Sequence, residues 1–81
     1  MDNRVAIIGI IAENTDSAEQ INDLLHQYSQ YIVGRMGIPY REKKINIISV
    51  IIDAPQDDIS SLSGKIGRLP DVSCKVTYST N

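Results

Sequence analysis

The sequence is poor in the residues that build disulfides and metal centres, with one cysteine, one histidine and no tryptophan or phenylalanine in 81 positions. The lone Cys74 cannot form an internal disulfide, and a single thiol is typical of a reducing compartment. Structural zinc sites need several clustered cysteines and histidines, and iron–sulfur clusters need several cysteines. We therefore expect no disulfide, no metal and no cofactor in this chain.

The sequence also lacks long apolar runs and a strong net charge. No apolar stretch approaches the ~20 residues that a helix needs to cross a bilayer, and the N-terminal residues show no basic leader followed by a cleavage site. The net charge of −2 argues against a dedicated nucleic-acid-binding protein, because phosphate partners favour a strongly basic surface. We expect a cytoplasmic protein that does not bind membranes and would need a partner to contact nucleic acid.

The first half of the chain predicts a strand followed by an amphipathic helix. An 81-residue chain has room for one domain with a modest core, so residues 1–81 are treated as a single domain. Val5–Ala12 is nearly unbroken in apolar character and rich in isoleucine, which predicts a β-strand. A helix is predicted from Asp16 or Ser17 to about Ser29. Two capping-box pairs can begin it: Asp16 with Glu19, and Ser17 with Gln20. Its apolar residues recur every three or four positions: Ala18, Ile21, Leu24, Leu25 and Tyr28.

The second half predicts two strands, a helix and a final strand. Tyr31–Ile38 contains two glycines and runs into a proline, a composition tolerated mainly at a sheet edge. Ile45–Asp53 is a second isoleucine-rich strand. A helix is expected to begin at Ala54–Pro55, with Pro55 near its first position, and to stop at Gly67. The last strand alternates apolar and polar residues from position 72 to position 79, which is typical of a half-buried strand.

The resulting order, βαββαβ, is that of an α+β ferredoxin-like sandwich. Two right-handed crossovers place both helices on one face of a four-stranded antiparallel sheet with strand order 4-1-3-2. The composition agrees with this order, because only the first and third strands are apolar on both faces, as central strands are. The second and fourth strands carry the glycines, the proline or the polar alternation of edge strands.

This architecture leaves one face of the sheet without helices, and that face is predicted to be apolar. In the third strand, Ile45, Ile47 and Ile51 point away from the helices, and the first strand is likewise apolar on both sides. Five or six aliphatic side chains left in water, each worth ~1.5–3 kcal/mol when fully buried, favour packing against a second sheet. We expect a homo-oligomer, a dimer or tetramer, formed through this face. The alternative is that the face receives a different protein.

The sequence contains no convincing catalytic constellation. His26 falls on the polar side of the first helix, where Asp23 can pair with it at the protein surface. Cys74 falls on the apolar side of the last strand, where a thiol acts as a small hydrophobe. RNA-recognition motifs share the βαββαβ order but stack bases on aromatic residues of the central strands, and this chain has isoleucine there. We expect no catalytic residues.

One segment has a composition suited to ligand binding. The run Gly34–Arg41 places two arginines and a tyrosine among glycines, so that guanidinium groups and backbone N–H groups can reach an anion. A solvated hairpin with bend-forming glycines explains the same run. If a ligand site exists, we expect it where this loop meets a subunit boundary. Its candidate residues are Arg35, Tyr40 and Arg41, with Lys65 and Arg68 from the second helix.

Three runs of this sequence resemble a known family: Tyr31–Arg41, Ile48–Pro55 and Gly64–Pro70. They are similar to small proteins described as iron-only hydrogenase system regulators, and the resemblance covers almost the whole chain. It implies a ferredoxin-like fold akin to ACT domains and to the C-terminal sensing domain of the nickel-responsive repressor, a dimer or tetramer, and a role in regulating hydrogenase genes or maturation. The chain departs from the nickel sensor in lacking its His-x-His pattern with a following cysteine, and it has no helix-turn-helix or ribbon-helix-helix segment.

Three functional hypotheses follow. The first is a regulatory module that senses a small ligand or binds a protein, with a ligand at the interface shifting its assembly. The second is a small ferredoxin-like enzyme that uses Tyr40 as proton donor and Arg35 or Arg41 to hold an anionic substrate. The third is a purely structural assembly subunit. We favour the first.

Overall fold

Four strands and two helices alternate along the chain in the predicted βαββαβ order. The computed structural model describes residues 2–80. Its strands are β1 (Asn3–Ala12), β2 (Ile32–Tyr40), β3 (Ile45–Pro55) and β4 (Val72–Tyr78), and its helices are α1 (Thr15–Gln27) and α2 (Gln56–Gly67). Short 3-10 turns at Ser29–Tyr31 and Arg41–Lys43 join α1 to β2 and β2 to β3. Within residues 2–80, neither helix is long and apolar enough to span a membrane.

The strands form one antiparallel sheet in the order β2-β3-β1-β4, which is the predicted 4-1-3-2 order written from the other edge. The two central strands pair without interruption from Asn3 opposite Pro55 to Ala12 opposite Asn46. β2 pairs with β3 through a register shift between Ile32 and Gly34. A bulge is well tolerated there because β2 lies at the edge of the sheet. The ferredoxin-like prediction is therefore confirmed.

The core lies between the two helices and one face of the sheet. Alternate residues of the central strands point into it, because successive side chains of a strand project to opposite faces. The isoleucine and leucine stripes of both helices close it from the other side. Its buried members are Ala6, Ile8, Ile10, Ala12, Ile21, Leu25, Ile48, Val50, Ile52, Ala54, Ile59, Leu62 and Ile66. From β4, Val72, Cys74, Val76 and Tyr78 pack against this cluster while partly exposed, as the alternation of that strand predicts.

The start of α1 differs from both predicted capping boxes. The N-cap is Asn14, whose side-chain Oδ1 accepts a hydrogen bond from the backbone N–H of Ser17 at 2.7 Å. Ser17 is buried inside the first turn, and its hydroxyl donates to the carbonyl oxygen of Pro70 at 2.6 Å. A cap is decided by which side chain can reach the free N–H groups, and this long-range bond to Pro70 has no local sequence signal.

Two further boundaries differ from the prediction because strands continue through residues expected to end them. β2 runs on through Pro39 and Tyr40, since proline is tolerated in an edge strand. β3 includes Ala54 and Pro55, and Pro55 is the N-cap of α2 rather than a residue of its first turn. As a result, the β2–β3 hairpin is longer than predicted, and it carries Tyr40 within the sheet.

Candidate functional site

The face of the sheet opposite the helices, here called the open face, exposes a continuous set of large apolar side chains. They come from three adjacent strands, and each is between 38% and 60% exposed. The strand registers place them side by side, with Ile7 opposite Ile51 and Ile11 opposite Ile47. Its apolar members are Val5, Ile7, Ile11, Met36, Ile38, Tyr40, Ile47 and Ile51. Of the three residues predicted for this face, Ile47 and Ile51 are exposed there, and Ile45 is half-buried beside Tyr40.

The open face has a shallow depression at its centre. A concavity of about 350 Å³ lies over Gly9, between Ile11 and Ile47, with Ser49 and Lys75 at its margin. Gly9 causes it: a Cβ built at this position would have the Lys75 carbonyl oxygen, 4.0 Å away, as its nearest neighbour. A side chain would therefore fit at Gly9, so its absence leaves a hollow that a side chain of a packing partner can enter.

A second surface lies on the helix side of the sheet, along the edge strand β2. Two open pockets adjoin there and share Pro39 and Asn46; together they are called the hairpin groove. The first pocket, about 220 Å³, lies between α1 and β2. The second, about 330 Å³, lies at the end of the β2–β3 hairpin. Polar lining residues of the first pocket are Asn22, Arg35 and Asn46, and those of the second are Thr15, Tyr40, Arg41, Lys44 and Asn46.

Arg35 is held in place at the first pocket. It stands opposite Val50 on the helix side of β2, and its Nη2 donates a hydrogen bond of 2.6 Å to Oδ1 of Asn22 on α1. A guanidinium has five N–H donors in a rigid fork. The bond to Asn22 thus fixes the orientation of the guanidinium while using one of these donors.

The five candidate ligand residues do not form one cluster. Arg35 lines the first pocket, and Tyr40 and Arg41 line the second. The Tyr40 hydroxyl donates to the carboxylate of Glu42 at 3.4 Å. Lys65 and Arg68 lie elsewhere and line neither pocket. Lys65 reaches Tyr28 of α1, and the Arg68 side chain folds back towards Gly64.

The contacts of Lys65 create a small polar cluster between the two helices. The Tyr28 hydroxyl donates to Oγ of Ser61 at 3.3 Å and accepts a bond from Nζ of Lys65 at 3.2 Å. Contacts with Ser61 first and Lys65 second lower the pKa of Tyr28 below its ordinary value, because once Tyr28 is ionised both the Ser61 hydroxyl and the Lys65 ammonium can donate to the phenolate oxygen. The cluster lies on the protein surface and adjoins no described pocket, so it contributes to the contact between the helices.

Replacing Ser61 with alanine is expected to raise the pKa of Tyr28, because the largest contribution to its lowering is lost. The folded pKa lies below the unfolded one, so ionised Tyr28 stabilises the fold at high pH, and this stabilisation is lost as the pH falls through the folded pKa. Nuclear magnetic resonance titration of the tyrosine rings measures the shift, with Tyr28→Phe to assign the signal. Ser63→Ala, two positions along the same helix, is the matched control. An unchanged Tyr28 titration in Ser61→Ala would contradict this contact.

The two residues considered for catalysis are not brought together. Cys74 is half-buried against the core, and this burial raises the pKa of its thiol, so the reactive thiolate is disfavoured. His26 is exposed on α1. Within residues 2–80, no three histidine, cysteine, aspartate or glutamate side chains lie together in a way that could hold a metal ion.

Sequence reasoning missed the neutral and basic residues that complete the hairpin groove. Asn22 lies in an amphipathic helix and Asn46 in an isoleucine-rich strand. A single polar residue in such an element predicts only a solvent-exposed position. Lys44 follows the hairpin turn in the left-handed conformation, with φ of 57°. Its place beside Arg41 depends on that backbone geometry. Their only sequence signal was proximity to the run Gly34–Arg41.

Comparison with known proteins connects this fold to a family. Residues 4–76 match the family model TM1266-like, described as "Iron-only hydrogenase system regulator, putative". The structure of the uncharacterized protein TM1266 from Thermotoga maritima is similar, with a TM-score of 0.91 and 33% sequence identity, covering 95% of this chain and 98% of that one. No curated protein sequence matches the chain.

Two more distant structures share the fold alone. The ACT domain from GTP pyrophosphokinase of Chlorobium tepidum has a TM-score of 0.76 and 18% identity, covering 95% of this chain and 99% of that one. The C-terminal domain of the MgtC protein from Mycobacterium tuberculosis has a TM-score of 0.71 and 10% identity, covering 95% and 88%. The expected likeness to ACT domains is thus confirmed. The match over residues 4–76 and the identity to TM1266 show that this chain belongs to the TM1266-like family.

Proposed function

We propose that this chain is a non-catalytic regulatory module of an iron-only hydrogenase system, which works as a homo-oligomer and responds to a small-molecule effector. Membership of the TM1266-like family supports the regulatory role. One structural observation carries the oligomer: eight large apolar side chains stand 38–60% exposed on a single sheet face. They present on the order of 600 Å² of apolar surface, at the upper end of what a soluble monomer exposes in one patch.

A second copy of this chain fits the open face better than an unrelated partner. A standard interface buries about 800 Å² per partner, and the open face approaches that area. The face also carries both signs of charge: Asp53 stands beside Val5 at one end, and Lys75 stands beside Gly9 nearer the middle. A two-fold axis brings each patch against its own copy in reverse orientation, so these opposite charges can approach each other across the interface.

The edge strand β2 connects the hairpin groove with the open face, so an effector bound in the groove can influence oligomer formation. Along β2, Arg35 and Pro39 line the hairpin groove, and Met36 belongs to the open face. Ile38 and Tyr40 border both surfaces. A ligand that moves β2 therefore changes both surfaces. Binding and self-association are then thermodynamically linked, and each changes the equilibrium of the other.

Sedimentation velocity of the wild-type protein over a range of concentrations tests the oligomer. We expect a dimer or tetramer that dissociates on dilution. Native mass spectrometry of the same sample reports the subunit number and any retained small molecule. A stable monomer at every concentration would overturn the proposal, and a stoichiometric complex with a different protein would replace it with an assembly role.

The enzyme hypothesis has less support in the described contacts. It needs the Tyr40 hydroxyl to donate to a substrate that an arginine holds, whereas this hydroxyl donates to the carboxylate of Glu42. The described contacts therefore favour the regulatory hypothesis.

A further inference from the structure

The hairpin groove is a cationic surface on an acidic protein. The chain has ten aspartates and glutamates and eight lysines and arginines. Three of these cations, Arg35, Arg41 and Lys44, line the groove, and the described lining of both pockets contains no carboxylate. Glu42, next to Arg41 in the chain, accepts a hydrogen bond from Tyr40. The three cations of the lining favour an anionic ligand.

The positive charges lie at the two ends of the groove, with neutral polar groups between them. Arg35 lies at the first pocket, and Arg41 and Lys44 lie at the second. Arg35 lies in β2 and Arg41 begins the 3-10 turn that follows it, so the strand rise places their Cα atoms at most about 20 Å apart. The shared wall between the two pockets is made by Pro39 and Asn46. An amide can donate to or accept from a polar group bound there.

The end at Arg35 is organised before any ligand binds. The 2.6 Å bond from Arg35 to Asn22 holds the guanidinium against α1, so less side-chain entropy is lost when an anion binds. A planar guanidinium also pairs with carboxylate or phosphate oxygens through two parallel hydrogen bonds. The second pocket, about 330 Å³, lies at the lower end of the range of ~300–1,000 Å³ for small-molecule sites. The first pocket, about 220 Å³, is smaller and suits one end group of a ligand.

We propose that the hairpin groove binds an elongated small molecule that carries a carboxylate or phosphate group at each end. One anionic end pairs with Arg35, the other with Arg41 and Lys44, and the polar middle contacts Asn46. This inference rests on the proposed effector response and specifies its ligand class. It assigns no role in binding to Lys65 or Arg68.

Isothermal titration calorimetry at fixed low salt tests the proposal with two-ended and one-ended probes. The dicarboxylate 3,6,9-trioxaundecanedioate, whose ether oxygens form a polar middle, and linear hexaphosphate carry charge at both ends. The monoamide of the dicarboxylate and inorganic phosphate are their one-ended controls. We expect at least one two-ended probe to bind saturably, at least about tenfold more tightly than its control, because each charged pair contributes a strong hydrogen-bonded contact. Preference for the dicarboxylate or for the hexaphosphate identifies the end group as carboxylate or phosphate.

Variants that remove a positive charge test whether each end of the groove binds one end of the ligand. Arg35→Gln and Arg41→Gln should each weaken binding of the two-ended probe by about tenfold or more, and the double variant should abolish it. Arg68→Gln, a matched arginine outside the groove, should bind as the wild type does. The absence of saturable binding, equal affinity for two-ended and one-ended probes, or unchanged binding in both groove variants would each overturn the proposal.

Sedimentation of the same samples separates this inference from the proposed function. An intact oligomer that binds none of the probes overturns the hairpin groove as a site for two-ended anions and leaves the self-association proposal standing. A monomer that binds the probes as expected overturns the oligomer and leaves the ligand site standing.

Discussion

Replacing Ile51 with aspartate is expected to convert the oligomer to monomers. Ile51 stands on the open face opposite Ile7 of β1 and Gly34 of β2, and it is 41% exposed. In a packed interface the introduced aspartate would be a buried carboxylate with no cation paired to it, which costs several kcal/mol. The dissociation constant should rise by at least about 100-fold, since 1.4 kcal/mol corresponds to a factor of ten. Sedimentation equilibrium measures it.

Two further variants make this test specific. Gln20→Asp adds the same charge on the exposed side of α1 and should leave the association unchanged. Ile51→Thr keeps a β-branched residue and adds a hydroxyl but no charge, so it should weaken the oligomer less than aspartate does. It also provides a test if Ile51→Asp fails to fold. If Ile51→Asp folds and associates as tightly as the wild type, the subunits meet through another surface.

The second large effect is expected on the opposite face of the sheet, at Ile8 of β1. Ile8 is 0% exposed and stands between Val50 of β3 and Val76 of β4. Ile8→Ala removes buried methyl and methylene groups and leaves a cavity, so the free energy of unfolding should fall by about 3 kcal/mol, within the usual range of ~2–5 kcal/mol. Urea denaturation followed by circular dichroism measures the loss.

The neighbouring residue supplies the matched control. Ile7 points to the open face and is 48% exposed, so Ile7→Ala loses less burial within one subunit. Both substitutions should be made in the Ile51→Asp background, where association no longer contributes to stability. We expect a loss of about 1 kcal/mol or less for Ile7→Ala there, since roughly half of the side chain's burial energy is at stake. Equal losses at the two positions would contradict the assignment of the two faces.

The fold could be predicted because its signals are local and periodic. A strand that is apolar on both faces, such as Ile45–Asp53, must be covered on both, and this identifies β1 and β3 as central. Alternation in β4 and glycine with proline in β2 identified the edges. The exact ends could not be predicted. Asn14, Pro39 and Pro55 lie at boundaries decided by contacts with distant residues or by tolerance at a sheet edge.

The candidate site was predictable only in part, for a geometric reason. The run Gly34–Arg41 predicts a ligand site in the loop after the second strand, because that strand is expected to end at Ile38. Because β2 continues to Tyr40, the two-residue period of a strand sends Arg35 to the helix side and Tyr40 to the open face. Lys65 and Arg68 were grouped with them by charge alone. The packing of α2 against α1 instead turns Lys65 to Tyr28.

The sequence by itself determined the element order, the central and edge strands, and the existence of an apolar sheet face, because hydrophobic periodicity and glycine or proline placement act over a few residues. The tertiary structure decided which residues share a pocket. Asn22, Arg35 and Asn46 meet in the hairpin groove only because α1 lies beside the edge strand β2. Gly9 forms a hollow between Ile11 and Ile47 only because β1 and β3 pair in one register. Contacts between residues far apart in the chain depend on packing geometry, which no local pattern encodes.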